Sequence, residues 1–156
     1  MMRLGKKTLV LAVLILLAGW PSVLRAEVVT EVGPDGTLTL EDGKQVVLAG
    51  IQMDAEGISV LRVLAMKQDL RLQLFANSVP GEKESAYAYL QTKYVKFPAK
   101  LNEASKEQEI LLNEFLVKIG AAKVVGTQEF RHKANFLKVQ EEARKKGEGV
   151  WSYEVS

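Results

Sequence analysis

"DGTLTLEDGKQVVLAGI", Asp35–Ile51, decides the fold class. "TLTLE" (Thr37–Glu41) alternates polar and apolar residues, the period of a half-buried strand. "DGK" (Asp42–Lys44) is a tight turn, and "QVVLAGI" (Gln45–Ile51) reads as the next strand. Immediately upstream, "GPDG" (Gly33–Gly36) is a second turn, because proline presets φ and glycine accepts a positive φ. "EVVTEV" (Glu27–Val32), rich in β-branched residues, precedes it as another strand. Three strands joined by turns this short form a meander.

Beyond the meander the pattern changes period. Ile58, Leu61 and Ala65 recur at helical spacing, widened by Val60 and Leu64, and predict a helix over Asp54–Lys67. "LRLQLF" (Leu70–Phe75) alternates and predicts a fourth strand; Ala76–Glu84 is loop. "AYAYL" (Ala86–Leu90) and "KYVKF" (Lys93–Phe97) read as a strand pair, and Pro98–Gln108 as a polar, exposed excursion. Leu112, Phe115, Leu116 and Ile119 form the apolar face of a helix over Glu109–Gly120, which Gly120 terminates. A last helix is expected from about Gln128 to Lys146, capped by Thr127, with Arg144, Lys145 and Lys146 at its negative end and Gly147 closing it. Trp151 then falls where it can pack back on the body. No internal repeat or linker interrupts this pattern.

The N-terminal stretch calls for separate treatment. Arg3, Lys6 and Lys7 precede an apolar run, Leu9–Ala18, which Pro21 ends. A basic head, a short apolar middle and a small residue at the end make a secretory signal, residues 1–26, with Ala26 its last residue. The run falls short of the roughly 20 residues of a membrane span. An uncleaved N-terminal anchor is the alternative. The expectation is an exported protein, periplasmic or secreted, whose domain occupies 27–156.

Charge follows from this division. The whole chain carries 21 Lys+Arg and 19 Asp+Glu. Arg3, Lys6, Lys7 and Arg25 leave with the signal and no acid does, so 17 bases face 19 acids, a formal net of −2. That average does not favour nucleic acid as the partner, since such binders show a basic excess or patch. The chain has no cysteine, so a fold in an oxidising compartment would not rest on disulfides.

Four stretches carry a family resemblance: "DGTLTLEDGKQVVLAGI", "AYAYL", "LLNEFLVKIGAAKV" and "QEEARKKGEGVW". Together they resemble the staphylococcal nuclease-like (thermonuclease) family over nearly all of 28–151, with extra length around 91–108. The most specific is "LNEFLVKIGAAKV", similar to the family's L-N-x-x-L-V-x-x-G-x-A-x-V run. The resemblance implies a mainly β fold with α: an OB-fold five-stranded β-barrel with about three packed helices. The meander and the helical second half agree with it.

The resemblance also implies a Ca²⁺-dependent phosphodiesterase site of two arginines and several carboxylates. A hard cation takes oxygen ligands, a carboxylate activates water, and arginine forks neutralise the phosphoryl charge. Here the family's R-L-x-G-I-D-x-P-E is matched by "VLAGIQMDA". Val47 stands at the arginine, Gln52 at the metal-binding aspartate and Ala55 at the glutamate. The family's D-G-D-T becomes "PDGT", which puts Gly36 at its second aspartate. The second arginine falls on Lys83, which cannot form a bidentate fork.

A divergent Ca²⁺-dependent nuclease can still be written with Asp35, Asp54 and Glu56 as acids and Lys83 as the cation. Ordinary structural roles account for all three acids: Asp54 as a helix N-cap, Glu56 in a helix first turn, Asp35 before a turn glycine. His132, the single histidine, sits among charged neighbours and reads as solvated surface. Tyr87, Tyr89, Tyr94 and Phe97 suggest a base-stacking strip, but alternation fits a half-buried strand pair better. The expectation is therefore a catalytically inactive binding module. Its pocket rim would be Val47, Gln52, Asp54 and Lys83, suited to a protein, peptide, glycan or other neutral ligand, with no cofactor and Ca²⁺ only under the enzyme alternative. A structural envelope protein docking through 91–108 is the third alternative.

Overall fold

The computed structural model describes residues 25–75, 83–91 and 109–153. The expected meander is β1 (Arg25–Val32), β2 (Leu38–Leu40) and β3 (Gln45–Leu48), paired antiparallel in that order. β5 (Asp69–Leu74) pairs antiparallel with β1, and β6 (Glu84–Gln91) pairs antiparallel with β5. β6 then runs parallel to β3, Val46 opposite Glu84 and Leu48 opposite Ala86. That pairing closes a five-stranded mixed barrel, the OB-fold the sequence leads one to expect. Its interior is filled by the alternate residues of the strands, among them Val29, Leu38, Leu40, Val46, Leu70 and Leu72, all buried.

The β6 strand is longer than β3, and this creates a problem at the barrel seam. β3 covers β6 only as far as Ala86, and β7 (Glu109–Leu111) takes over at Tyr89. Asn113, fully buried, fills the gap. Its Oδ1 accepts from the Ala88 N–H at 3.0 Å, and its Nδ2 donates to the carbonyls of Ala49 at 3.0 Å and Ala86 at 3.1 Å. One side-chain amide thus supplies the donors and acceptors that a continuous neighbouring strand would have provided.

Helices cover the barrel. α1 (Ala55–Ala65) packs on β1, with Ile58, Leu61 and Ala65 buried as the spacing predicts. α2 (Leu112–Lys118) lies against β6, and α3 (Lys133–Lys146) packs on α2 and on the short β8 (Lys123–Val124). Gly147, at φ 63°, ends α3 as expected. Trp151 is buried, and the Lys123 ammonium lies 4.5 Å from its ring centroid.

Four expectations need correction. The helix expected from Glu109 begins at Leu112, because residues 109–111 pair with the free edge of β6. The last helix begins at Lys133 rather than Gln128, so Thr127 does not cap it. Phe130 explains the delay: it packs against the Gly50 turn and against Phe136, with ring centroids 5.4 Å apart, which holds its segment off the helix. The third strand stops at Leu48. Gly50, at φ 75°, turns the chain, and Ile51–Gln52 form β4, paired with β8 in a separate ribbon. Finally, His132 is half-buried rather than solvated, edge-on to Tyr87 at 4.7 Å and stacked on Phe136 at 6.0 Å. Charged sequence neighbours say nothing of what lies across the fold.

Several expectations fall on residues outside those described: the signal before residue 25, most of the 76–84 loop, the 93–97 strand with Tyr94 and Phe97, and the 98–108 excursion. β1 begins two residues inside the segment assigned to the signal. A chain cut after Ala26 would keep the Glu27–Leu70 and Val28–Asp69 pairings.

Two substitutions test this packing. Asn113→Ala would orphan the Ala88 N–H and the Ala49 carbonyl, at about 1–3 kcal/mol for each buried group. Urea unfolding should show a loss of about 2–5 kcal/mol. Gly57→Ala ought to have an unusual sign. In a helix this change ordinarily stabilises by up to about 1 kcal/mol. Here the new Cβ would lie 1.9 Å from the Ala121 carbonyl oxygen, so the melting temperature should fall.

Candidate functional site

The site expected from the sequence lies where the β1–β2 turn, the end of β3 and the start of β6 meet. The turn is built by Asp35, whose Oδ1 accepts from the Thr37 N–H at 3.1 Å. Gly36 takes φ 80°, a conformation costly for a residue with a Cβ. Thr37 is buried, at 4% exposure.

Barrel closure brings Lys83 to this turn. Its Nζ donates to Asp35 Oδ2 at 2.6 Å and to Thr37 Oγ1 at 2.8 Å. The ammonium, then the Thr37 hydroxyl and amide, hold the Asp35 carboxyl well below its ordinary value near 3.8. Two residues that the sequence reading proposed 48 positions apart are therefore one unit. Thr37, which that reading did not single out, completes it. Its only advance signal was its place directly after the turn.

The other proposed rim residues take different roles. Val47 is half-buried on β3, beside Ser85 in the parallel register. Gln52 is exposed on β4, opposite Lys123. Asp54 caps α1, its Oδ1 accepting from the Gly57 N–H at 2.9 Å. Ala55 and Glu56 are exposed in the first turn of α1. Met53 lies against the turn: a Cβ on Gly36 would come within 3.0 Å of Met53 Cε. An aspartate at position 36 would meet both that methyl and an unfavourable φ.

These residues do not fit a calcium ion. Ca²⁺ takes six to eight oxygen ligands. The Asp35 carboxylate is already held by an ammonium, and the Asp54 Oδ1 accepts from a backbone N–H. Among the described residues no three of His, Cys, Asp and Glu converge as a metal site.

Of the suggested base-stacking strip only Tyr87 and Tyr89 are among the described residues. Tyr87 is fully buried, edge-on to Phe75 at 4.9 Å, and burial pushes its phenol pKa up. Tyr89 is half-buried, with its hydroxyl 3.3 Å from Gln73 Oε1.

Residues 82–153 match the family model described as staphylococcal nuclease homologue. Over that stretch the chain is similar to staphylococcal nuclease homologues. None of the curated proteins compared with the chain matches it. The matched stretch holds Lys83, β6, Asn113, α2, α3 and Trp151. Asp35, Val47, Gln52, Asp54 and Glu56 lie outside it. The matched half carries β6, Asn113 and two of the helices, and all of the candidate site except Lys83 lies in the other half.

The Asp35 titration tests the site's electrostatics. Its folded value is depressed, so any stability it supplies is present above about 3.8 and lost as pH falls below that. Carboxyl-detected NMR should show Asp35 still ionised well below its ordinary midpoint. In Lys83→Met, which removes the largest cause of the shift, the midpoint should move back up.

Proposed function

We propose that this is an exported staphylococcal nuclease-like domain that does not hydrolyse phosphodiesters and works by binding. The observation that carries this reading is the Lys83–Asp35 pair. The cation at a family arginine position is neutralised by the chain's own carboxylate at 2.6 Å. The other four expected positions hold Val47, Gln52, Ala55 and Gly36. Removal of a single transition-state donor typically costs about 100- to 1000-fold in rate. Loss of metal ligand, base and both arginine forks together leaves no native-like catalysis to expect.

The same substitutions define what could bind. Val47 and Met53 give the rim apolar surface, Gln52 gives amide hydrogen bonding, and the Lys83–Asp35 pair carries no net charge. Such a surface suits a peptide, a glycan or another neutral ligand better than a polyanion. Export rests on the basic head and short apolar run before β1. Among the described residues no helix is long and apolar enough to cross a membrane.

Calorimetric titration of Ca²⁺ into residues 27–156, with single-stranded DNA cleavage assayed in the same buffer, tests this reading. The expected outcome is no Ca²⁺ heat and no cleavage. Asp54→Ala should cost about 1 kcal/mol of stability through loss of the helix cap and change nothing else. Ca²⁺-dependent cleavage that disappears in Asp54→Ala would reinstate the enzyme with Asp54 in its site.

A further inference from the structure

We infer that Asp35 is an internal oxyanion plug, a residue that sets the ligand selectivity of the site by occupying the position where an anion would meet Lys83. The inference rests on the reading of this site as a binding site rather than a catalytic one. It begins with the closed geometry of three side chains. Lys83 Nζ donates to Asp35 Oδ2 and to Thr37 Oγ1, at 2.6 and 2.8 Å. The Thr37 N–H in turn donates to Asp35 Oδ1 at 3.1 Å. Ammonium and backbone N–H together are a donor set with which proteins hold phosphate and carboxylate ligands. Here that set is filled by a carboxylate of the same chain.

The exposure of the pair identifies its role. The Lys83 and Asp35 side chains are 42% and 56% exposed. An ion pair so open to water is screened and adds little to stability. Its consequence is occupancy. The carboxylate is tethered three residues before β2, so a free anion must compete with a group whose effective concentration is high and must also approach a like charge. An uncharged ligand faces neither obstacle. Asp35 therefore excludes anions from this rim while leaving neutral ligands access to Val47, Met53 and Gln52. The low exposure-weighted cost also means that Asp35 can be replaced without unfolding the domain, and an asparagine can still accept from the Thr37 N–H.

The test is titration of inorganic phosphate into the ¹⁵N-labelled full chain and three variants, followed at the Thr37 and Lys83 amides, with each fold checked by its spectrum. The parent should show no saturable shift. Asp35→Asn should bind phosphate at least about tenfold more tightly, the scale of one charge-assisted contact. Asp35→Ser, which removes the carboxylate differently, should show the same gain. Asp35→Asn combined with Lys83→Met should lose it. A parent that binds phosphate as tightly as Asp35→Asn would overturn the plug. So would a gain that survives removal of Lys83, or no gain in either single variant. The readout is binding alone. Nuclease activity in the parent would therefore overturn the proposed function and leave the plug to be judged on these titrations.

Discussion

The fold depends on how the barrel closes along β6. In a closed barrel every strand bonds on both edges, and β6 completes the closure with β5 on one side and β3 then β7 on the other. The two partners do not meet end to end. A gap in that ladder would leave buried backbone groups without partners, at a cost comparable to a large share of a small domain's stability. Asn113 closes it with a donor and an acceptor from one amide. The polar residue lies at the N-terminal end of α2 with Leu112, Leu116 and Val117 buried around it. The helix therefore carries the clamp, and packing of the helix and closure of the barrel are the same event.

Closure is also what assembles the candidate site. Lys83 immediately precedes β6, and Asp35 and Thr37 border β2. The parallel β3–β6 register sets where β6 begins relative to the meander, which delivers the ammonium to the turn. The start of α1 completes the surroundings by placing Met53 against Gly36. Each of these contacts joins segments far apart in the chain. The site is a by-product of the seam, and its chemistry is decided by a few side chains that the seam happens to juxtapose.

A phosphodiesterase site of this design keeps its carboxylates free for a cation and its cations free for phosphate. Here the Asp35 carboxylate and the Lys83 cation satisfy one another, and Asp54 serves as a helix cap. The pattern agrees with where the family match lies. Residues 82–153 hold Asn113, α2, α3 and Trp151, all of which maintain the fold. Asp35, Val47, Gln52, Asp54 and Glu56 lie outside that match.

Much of the fold was legible because local rules and tertiary packing agree there. Alternation in Thr37–Glu41, the turns at Pro34–Gly36 and Asp42–Lys44, and the 58–61–65 stripe are short-range signals, and each element formed where they pointed. Asp54 as a cap was legible for the same reason, since its partner is three residues away. Misreadings arose where a distant contact outweighed local preference. Residues 109–111 follow the open edge of β6, Phe130 is drawn to Gly50, and His132 lies in an aromatic cluster with a tyrosine from another strand. By itself the sequence determined the strands, the turns and the helical stripes, because these depend on residue type and near neighbours. Only the tertiary structure decided that Asn113 spans the seam and that Lys83 meets Asp35 and Thr37. Those contacts join residues dozens of positions apart, and chain closure, not local propensity, sets their distance.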